Sequence, residues 1–127
     1  MIMSPTNLSE CFDVLDEYFK HKTLEYEFFK NSQEEEAVIA THFTIGKKIR
    51  SNWGLWEGNS TIFKFLSSMQ LWHADDMSSL ILTSYHRYIN DKPLELKQQI
   101  EHFLEYWKQY EQSKGPISKK QIKLWEI

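Results

Sequence analysis

The sequence predicts one all-α domain, a compact bundle of about six helices around an aromatic-rich core. Three observations carry that prediction. Apolar residues recur at three- and four-residue spacing along most of the chain. No segment alternates as a strand would, and Phe, Tyr and Trp make up 15% of the 127 residues, which supplies large side chains for a core without staples. At this length folding buries roughly two-thirds of the surface the unfolded chain exposes. The helical domain is placed at 1–116, followed by a basic tail, 117–127, that either docks back or stays mobile.

Leu8, Phe12, Leu15 and Phe19 share one stripe of a first helix ending near His21, with Asn7 or Ser9 as its cap. Thr23 opens a short second helix that ends around Asn31 and turns Leu24, Phe28 and Phe29 inward. Ser32-Gln33-Glu34-Glu35 reads as a capping box, in which the Ser32 hydroxyl accepts from the Glu35 N–H and the Glu35 carboxylate reaches back. The third helix runs from there to about Ser51, with Val38, Ile45 and Ile49 on one line and Ile39 and Phe43 widening the apolar arc. His42 falls in the middle of that stripe, as a core histidine with satisfied nitrogens or as a functional one facing Asp75, Asp76 or Glu57.

The stretch from Asn52 to Asn59 breaks the pattern with two glycines, which permit positive φ. Ser60 caps a fourth helix carrying Ile62, Phe63, Leu66 and Met69. A fifth starts near Ala74, places Met77, Leu80, Ile81, Ser84, Tyr85 and Tyr88 on one face, and stops at Asn90-Asp91-Lys92-Pro93. Leu96, Ile100, Phe103, Leu104 and Trp107 define a sixth, which ends at Gly115-Pro116.

Composition narrows the functions. The net charge is −3, and the only short basic clusters are Lys47-Lys48 and Lys119-Lys120, so nucleic acid is not an expected partner. No apolar run approaches the ~20 residues of a membrane span, and Met1 to Asn7 lacks the regions of a signal peptide. A cytoplasmic protein without membrane contact is expected. The single cysteine, Cys11, excludes an internal disulfide and a multi-cysteine zinc site.

Two places concentrate chemistry. Residues 49 to 59 join Arg50, Asn52, Trp53 and Trp56 to two glycines. Such a set builds an aromatic-walled binding pocket, or the tryptophans fold back as a hydrophobic plug; one can plug while the other faces a ligand. His73, Asp75 and Asp76 put an imidazole beside two carboxylates, but a cap position and an acidic first turn account for all three. Zinc sites usually take three or four protein ligands, so neither a metal nor a cofactor is expected. His86 and Arg87 close the same helix. They cannot form a dyad with Asp75, because eleven residues of helix separate it from His86 by about 16 Å.

The blocks Ile49-Arg50-x-Asn52-Trp53-Gly54-Leu55-Trp56, His73-x-Asp75-Asp76-Met77-Ser78 and Ser84-Tyr85-His86-Arg87 together resemble a bacterial domain family of unknown function over about residues 35–110. Ala74 stands where that family usually has proline. The resemblance marks Arg50, Asn52, Trp53, Trp56, His73, Asp75, Asp76, His86 and Arg87 as the positions to watch, and it implies no activity.

No arrangement of residues specifies a reaction: there is no nucleophile elbow, phosphate-cradling glycine loop or zinc-binding helix signature. The first expectation is a non-catalytic bacterial protein-binding module, with inhibitor or toxin-immunity protein as its specific role, another protein as partner and no stated oligomeric state. The second is a small enzyme or anionic-ligand binder around Arg50, Trp56, His73 and Asp76. Both place Arg50 against Asp75 or Asp76, and Trp53 or Trp56 near His73.

Overall fold

A computed structural model describes the backbone of residues 4–125 and the side chains of residues 4–113. Seven helices follow in chain order among them: α1 (Leu8–Phe19), α2 (Thr23–Asn31), α3 (Glu34–Thr41), α4 (Ile45–Asn52), α5 (Thr61–Ser68), α6 (Ala74–Ile89) and α7 (Leu96–Trp125). The fold is all-α, as the periodicity predicts. α6 is its axis, packed against α1, α2, α3, α4 and α7. Met77, Leu80, Ile81, Leu82 and Tyr85 of α6 are almost completely removed from solvent. Phe12, Phe19 and Phe29 surround the Tyr85 ring at centroid distances of 5.8, 6.1 and 5.9 Å. The Tyr85 hydroxyl escapes that apolar shell by donating to Asp16 Oδ1 at 2.7 Å. Burial, and after it the Asp16 bond, pushes the phenol well above its ordinary pKa.

Three of the local start signals operate as their chemistry requires. Asn7 accepts from the Glu10 N–H, Ser60 from the Phe63 N–H, and His73 from the Asp75 N–H. In the connection between α4 and α5, Gly54 and Gly58 adopt φ of 66° and 79°.

The expected third helix is two helices. His42, Phe43 and Thr44 form a turn between α3 and α4, where the Thr41 hydroxyl bonds back to the Ala37 carbonyl at 2.8 Å and the Thr44 N–H to the Thr41 carbonyl. Such back-bonding bends a helix. The turn also frees the His42 carbonyl, which accepts from Arg50. The capping box does not form: Gln33 occupies the cap of α3, and the Ser32 hydroxyl donates to the Phe28 carbonyl at the end of α2.

The break changes which apolar residues face inward. Ile39 and Phe43 are exposed, and so are Leu24 and Phe28, leaving Phe29 as the buried residue of α2. α7 is drawn through Gly115 and Pro116 to Trp125. A proline's φ suits a helix even as it removes a donor, so a Gly-Pro pair signals a stop without enforcing one. Whether side chains of the 117–127 tail dock back lies outside the described residues.

Candidate functional site

Arg50 is the hinge between the two chemistry-bearing segments. It leaves the last turn of α4 and is buried, although its ends remain polar. Nη1 donates to Ser78 Oγ at 2.9 Å and lies 3.5 Å from His42 Nδ1, Nη2 donates to the His42 carbonyl at 3.0 Å, and Nε lies 3.4 Å from Asp75 Oδ1. The Ser78 hydroxyl passes the connection on, donating to the Asp75 carbonyl at 3.1 Å. One guanidinium therefore ties α4, the α3–α4 turn and the first turn of α6 together. Gly46 makes room for it: a Cβ there would stand 2.9 Å from Arg50 Nη1.

His73 caps α6 by accepting the Asp75 N–H at Nδ1, 3.0 Å away. That commits the Nδ1 lone pair and puts the ring proton on Nε2. The Asp75 carboxylate, 3.9 Å from the same nitrogen, adds no hydrogen bond in this tautomer. Aromatic rings crowd the imidazole. Trp56 and Trp72 meet it edge to face at 5.8 and 5.5 Å, and Trp107 stacks along it at 5.9 Å. Trp107 also packs on Trp72 at 4.8 Å and donates its Nε1–H to Asp76 Oδ2 at 2.8 Å. Burial pushes the Asp76 carboxyl above its ordinary 3.8, against the pull of the Trp107 bond. Trp53 is buried as a plug, whereas Trp56 and Trp72 are each 57% exposed.

At the other end of α6 the polar residues turn on one another. Arg87 grips Glu34 in a bidentate pair, Nε to Oε1 at 2.6 Å and Nη2 to Oε2 at 3.1 Å, and its Nη1 donates to the Leu94 carbonyl at 2.6 Å. The Arg87 hydrogen bond holds the Glu34 carboxyl below its ordinary range, and the pairing raises the guanidinium in turn. His86 is buried edge-on against Phe29, its Nε2–H donating to the Ser32 carbonyl at 3.0 Å. Its Nδ1 has no hydrogen-bond partner among the described residues. Asn90 adds bonds to the Lys30 and His86 carbonyls, and the buried Gln99 of α7 adds bonds to Ser84 Oγ and the Leu94 carbonyl.

The watched positions thus fall into separate places. Arg50, Trp56, His73, Asp75 and Asp76 come together at the start of α6. Asn52 is exposed and lines a small cavity of about 100 Å³ beside the buried Trp53. His86 and Arg87 sit at the far end of α6. His42, half-buried in the turn, meets Arg50 instead of an acid.

Sequence reasoning left out three contributors. Ser78 gave only the signal of its place in the second block, Trp107 read as ordinary helix packing, and Glu34 as part of a capping box. Trp72, beside His73, lies like Trp53 and Trp56 in a break of the helical pattern. Two larger cavities, about 500 Å³ between α3, α6 and α7 and about 430 Å³ between α1, α2 and the α3–α4 turn, are lined by residues other than those around His73. Around His73 the exposed rings are those of Trp56 and Trp72. Among the described residues no three His, Cys, Asp or Glu side chains gather as a metal-binding group, and no helix is long and apolar enough to cross a membrane.

Residues 4–89 match the family described as Domain of unknown function (DUF6794), and the chain belongs to that family. The match begins well before the 35–110 range of the resemblance and ends with α6. No curated protein and no solved structure matches the chain.

Proposed function

We propose that this member of the DUF6794 family is a non-catalytic protein-binding module whose contact surface is the aromatic patch at the start of α6. One observation carries the reading: Trp56 and Trp72, each 57% exposed, flank the capping His73, which accepts from the Asp75 N–H while the Asp75 carboxylate pairs with Arg50 behind it. Tryptophan is among the side chains most enriched at binding hot spots, and grouped exposed apolar side chains mark interaction surfaces. Exposed Tyr106, packed on Trp107 at 5.3 Å, extends the patch along α7.

The alternative, a small enzyme or anionic-ligand binder at the same residues, needs a cation facing outward. Arg50 is buried and directs its donors at Ser78, His42 and Asp75. An inhibitor or toxin-immunity protein of a bacterial cytoplasm is the specific role we assign. It fits a small acidic chain with two exposed tryptophans, Trp56 and Trp72, among its described residues.

The test is a complex with the product of a neighbouring gene, measured by light scattering after size exclusion. A one-to-one complex is expected, with Trp56→Ala/Trp72→Ala weakening it at least about 30-fold, the scale of a hot-spot tryptophan. Circular dichroism should show the variant folded. No complex, or a complex indifferent to both substitutions, would overturn the reading.

A further inference from the structure

A second surface lies at the other end of α6 and does not depend on the aromatic patch. α3 carries apolar residues on two sides. Ala37 is buried toward the body, whereas Ile39 is 65% exposed on the outside. Ile39 opens onto the 500 Å³ groove between α3, α6 and α7, where half-buried Val38 and Phe103 complete an apolar lining. Glu35 and Glu95 stand on the same groove, exposed, and neither enters an ion pair among the described residues. Arg87 also reaches the groove, but Glu34 and the Leu94 carbonyl take up its donors. Among the lining residues this leaves Glu35 and Glu95 as formal charges outside an ion pair, beside the imidazole of His102, with Glu95 acting on Arg87 only at longer range. Lys92 lies near enough to Glu34 to act on it without lining the groove.

The walls restrict the shape of an occupant. All three are helices, and a helix side offers no strand edge to pair with an extended peptide. A docked segment must satisfy its own backbone. We propose that this groove docks an amphipathic helix of a partner protein, with apolar side chains against Val38, Ile39 and Phe103 and lysines or arginines opposite Glu35 and Glu95. The mode is helix-in-groove recognition, read through anchors at i, i+3, i+4 and i+7, with rim charges selecting a basic partner over an acidic one.

The full ¹⁵N-labelled chain is titrated with a helical probe peptide of about 14 residues, leucines at the anchor spacing and lysines on the flanks. Its counterparts carry glutamate in place of lysine, or the same residues in shuffled order. Saturable amide shifts are expected at Val38, Ile39, Gln99 and Phe103, with the lysine peptide at least roughly tenfold tighter than the glutamate one. Ile39→Asp should abolish these shifts, and Glu35→Lys/Glu95→Lys should weaken binding by roughly tenfold or more. Both alter exposed residues, so melting curves should remain close to wild type. Equal binding of the three peptides, shifts centred on Leu24 and Phe28 or on Trp56 and Trp72, or no saturable shift would each overturn the proposal. A partner complex abolished by Trp56→Ala/Trp72→Ala would stand independently of that outcome.

Discussion

Each end of α6 is fixed by an arginine, and the two arginines leave different surfaces behind them. Arg50 is buried at the first turn, and two of its contacts are to neutral oxygens, Ser78 Oγ and the His42 carbonyl. Arg87, partly exposed in the last turn, is bonded face to face with the Glu34 carboxylate. The first arrangement puts the cation inside and lets tryptophans occupy the outside. The second uses the cation to join α3 to the connection before α7, leaving acids outside any ion pair around an apolar groove. A buried guanidinium must find several oxygens, because an unpaired charge there is costly. A partly exposed one leans on its carboxylate and one carbonyl, and solvent screens the rest. Arg50 thus ties α4 to the α3–α4 turn and the start of α6, while Arg87 ties α6 to α3 and to the connection before α7.

The largest expected effect sharpens the contrast within the first end. Trp53 and Trp56 are three residues apart, one a plug and one at the surface. Trp53→Ala should cost about 4 kcal/mol through lost burial and a cavity, and Trp56→Ala less than about 1 kcal/mol, the worth of one aromatic contact. Urea denaturation of both variants measures the gap. Similar costs would mean that the two rings are not divided between packing and surface.

The arginines come next. Arg50→Ala should cost about 3 kcal/mol, because Ser78 and the His42 carbonyl lose a charged donor in the interior, and Arg50→Lys should recover little, since one ammonium cannot reproduce the forked contacts. Arg87→Ala should cost about 1.5 kcal/mol once partial exposure is discounted. The same denaturation series reads both. A reversed order would break the comparison.

The smallest effect is a difference in sign with pH. Glu34 is held below its ordinary 4.5 in the fold, so the unfolded chain takes up this proton first as pH falls. The stability it contributes is whole above 4.5 and is lost as pH drops through the folded value. Asp76 behaves oppositely. Burial raises it above 3.8, the native chain holds the proton more tightly, and stability falls as pH rises from 3.8 through the raised value. In urea titrations between about pH 3 and 6, Glu34→Gln should flatten the acid-side loss and Asp76→Asn should remove the opposing decline. Matching slopes in the two variants would refute this assignment of signs.

The contact of Arg50 with Asp75 and of Trp56 with His73 was legible because Arg50 closes one helix, His73 and Asp75 open another, and the breaks beside them place both at helix ends. Which of the tryptophans would be the plug was not legible. Trp53 and Trp56 have the same side chain and lie three residues apart, on either side of the turn at Gly54, and the fold buries the first and exposes the second. Asp76 and Trp107 meet across 31 positions, a pairing for which the chain offers no local signal.

By itself the sequence determined the helices and three of their caps, because helical bonds and the side chains of Asn7, Ser60 and His73 act over only a few residues. Tertiary structure decided the rest. It split the expected third helix at His42, whose carbonyl Arg50 takes from eight positions away, and left Leu24, Phe28, Ile39 and Phe43 facing outward. It also joined Arg50 to Ser78 across 28 positions and Arg87 to Glu34 across 53. Periodicity records which residues share a face. Which faces find a partner depends on how the helices pack, and that is settled only when the whole chain is folded.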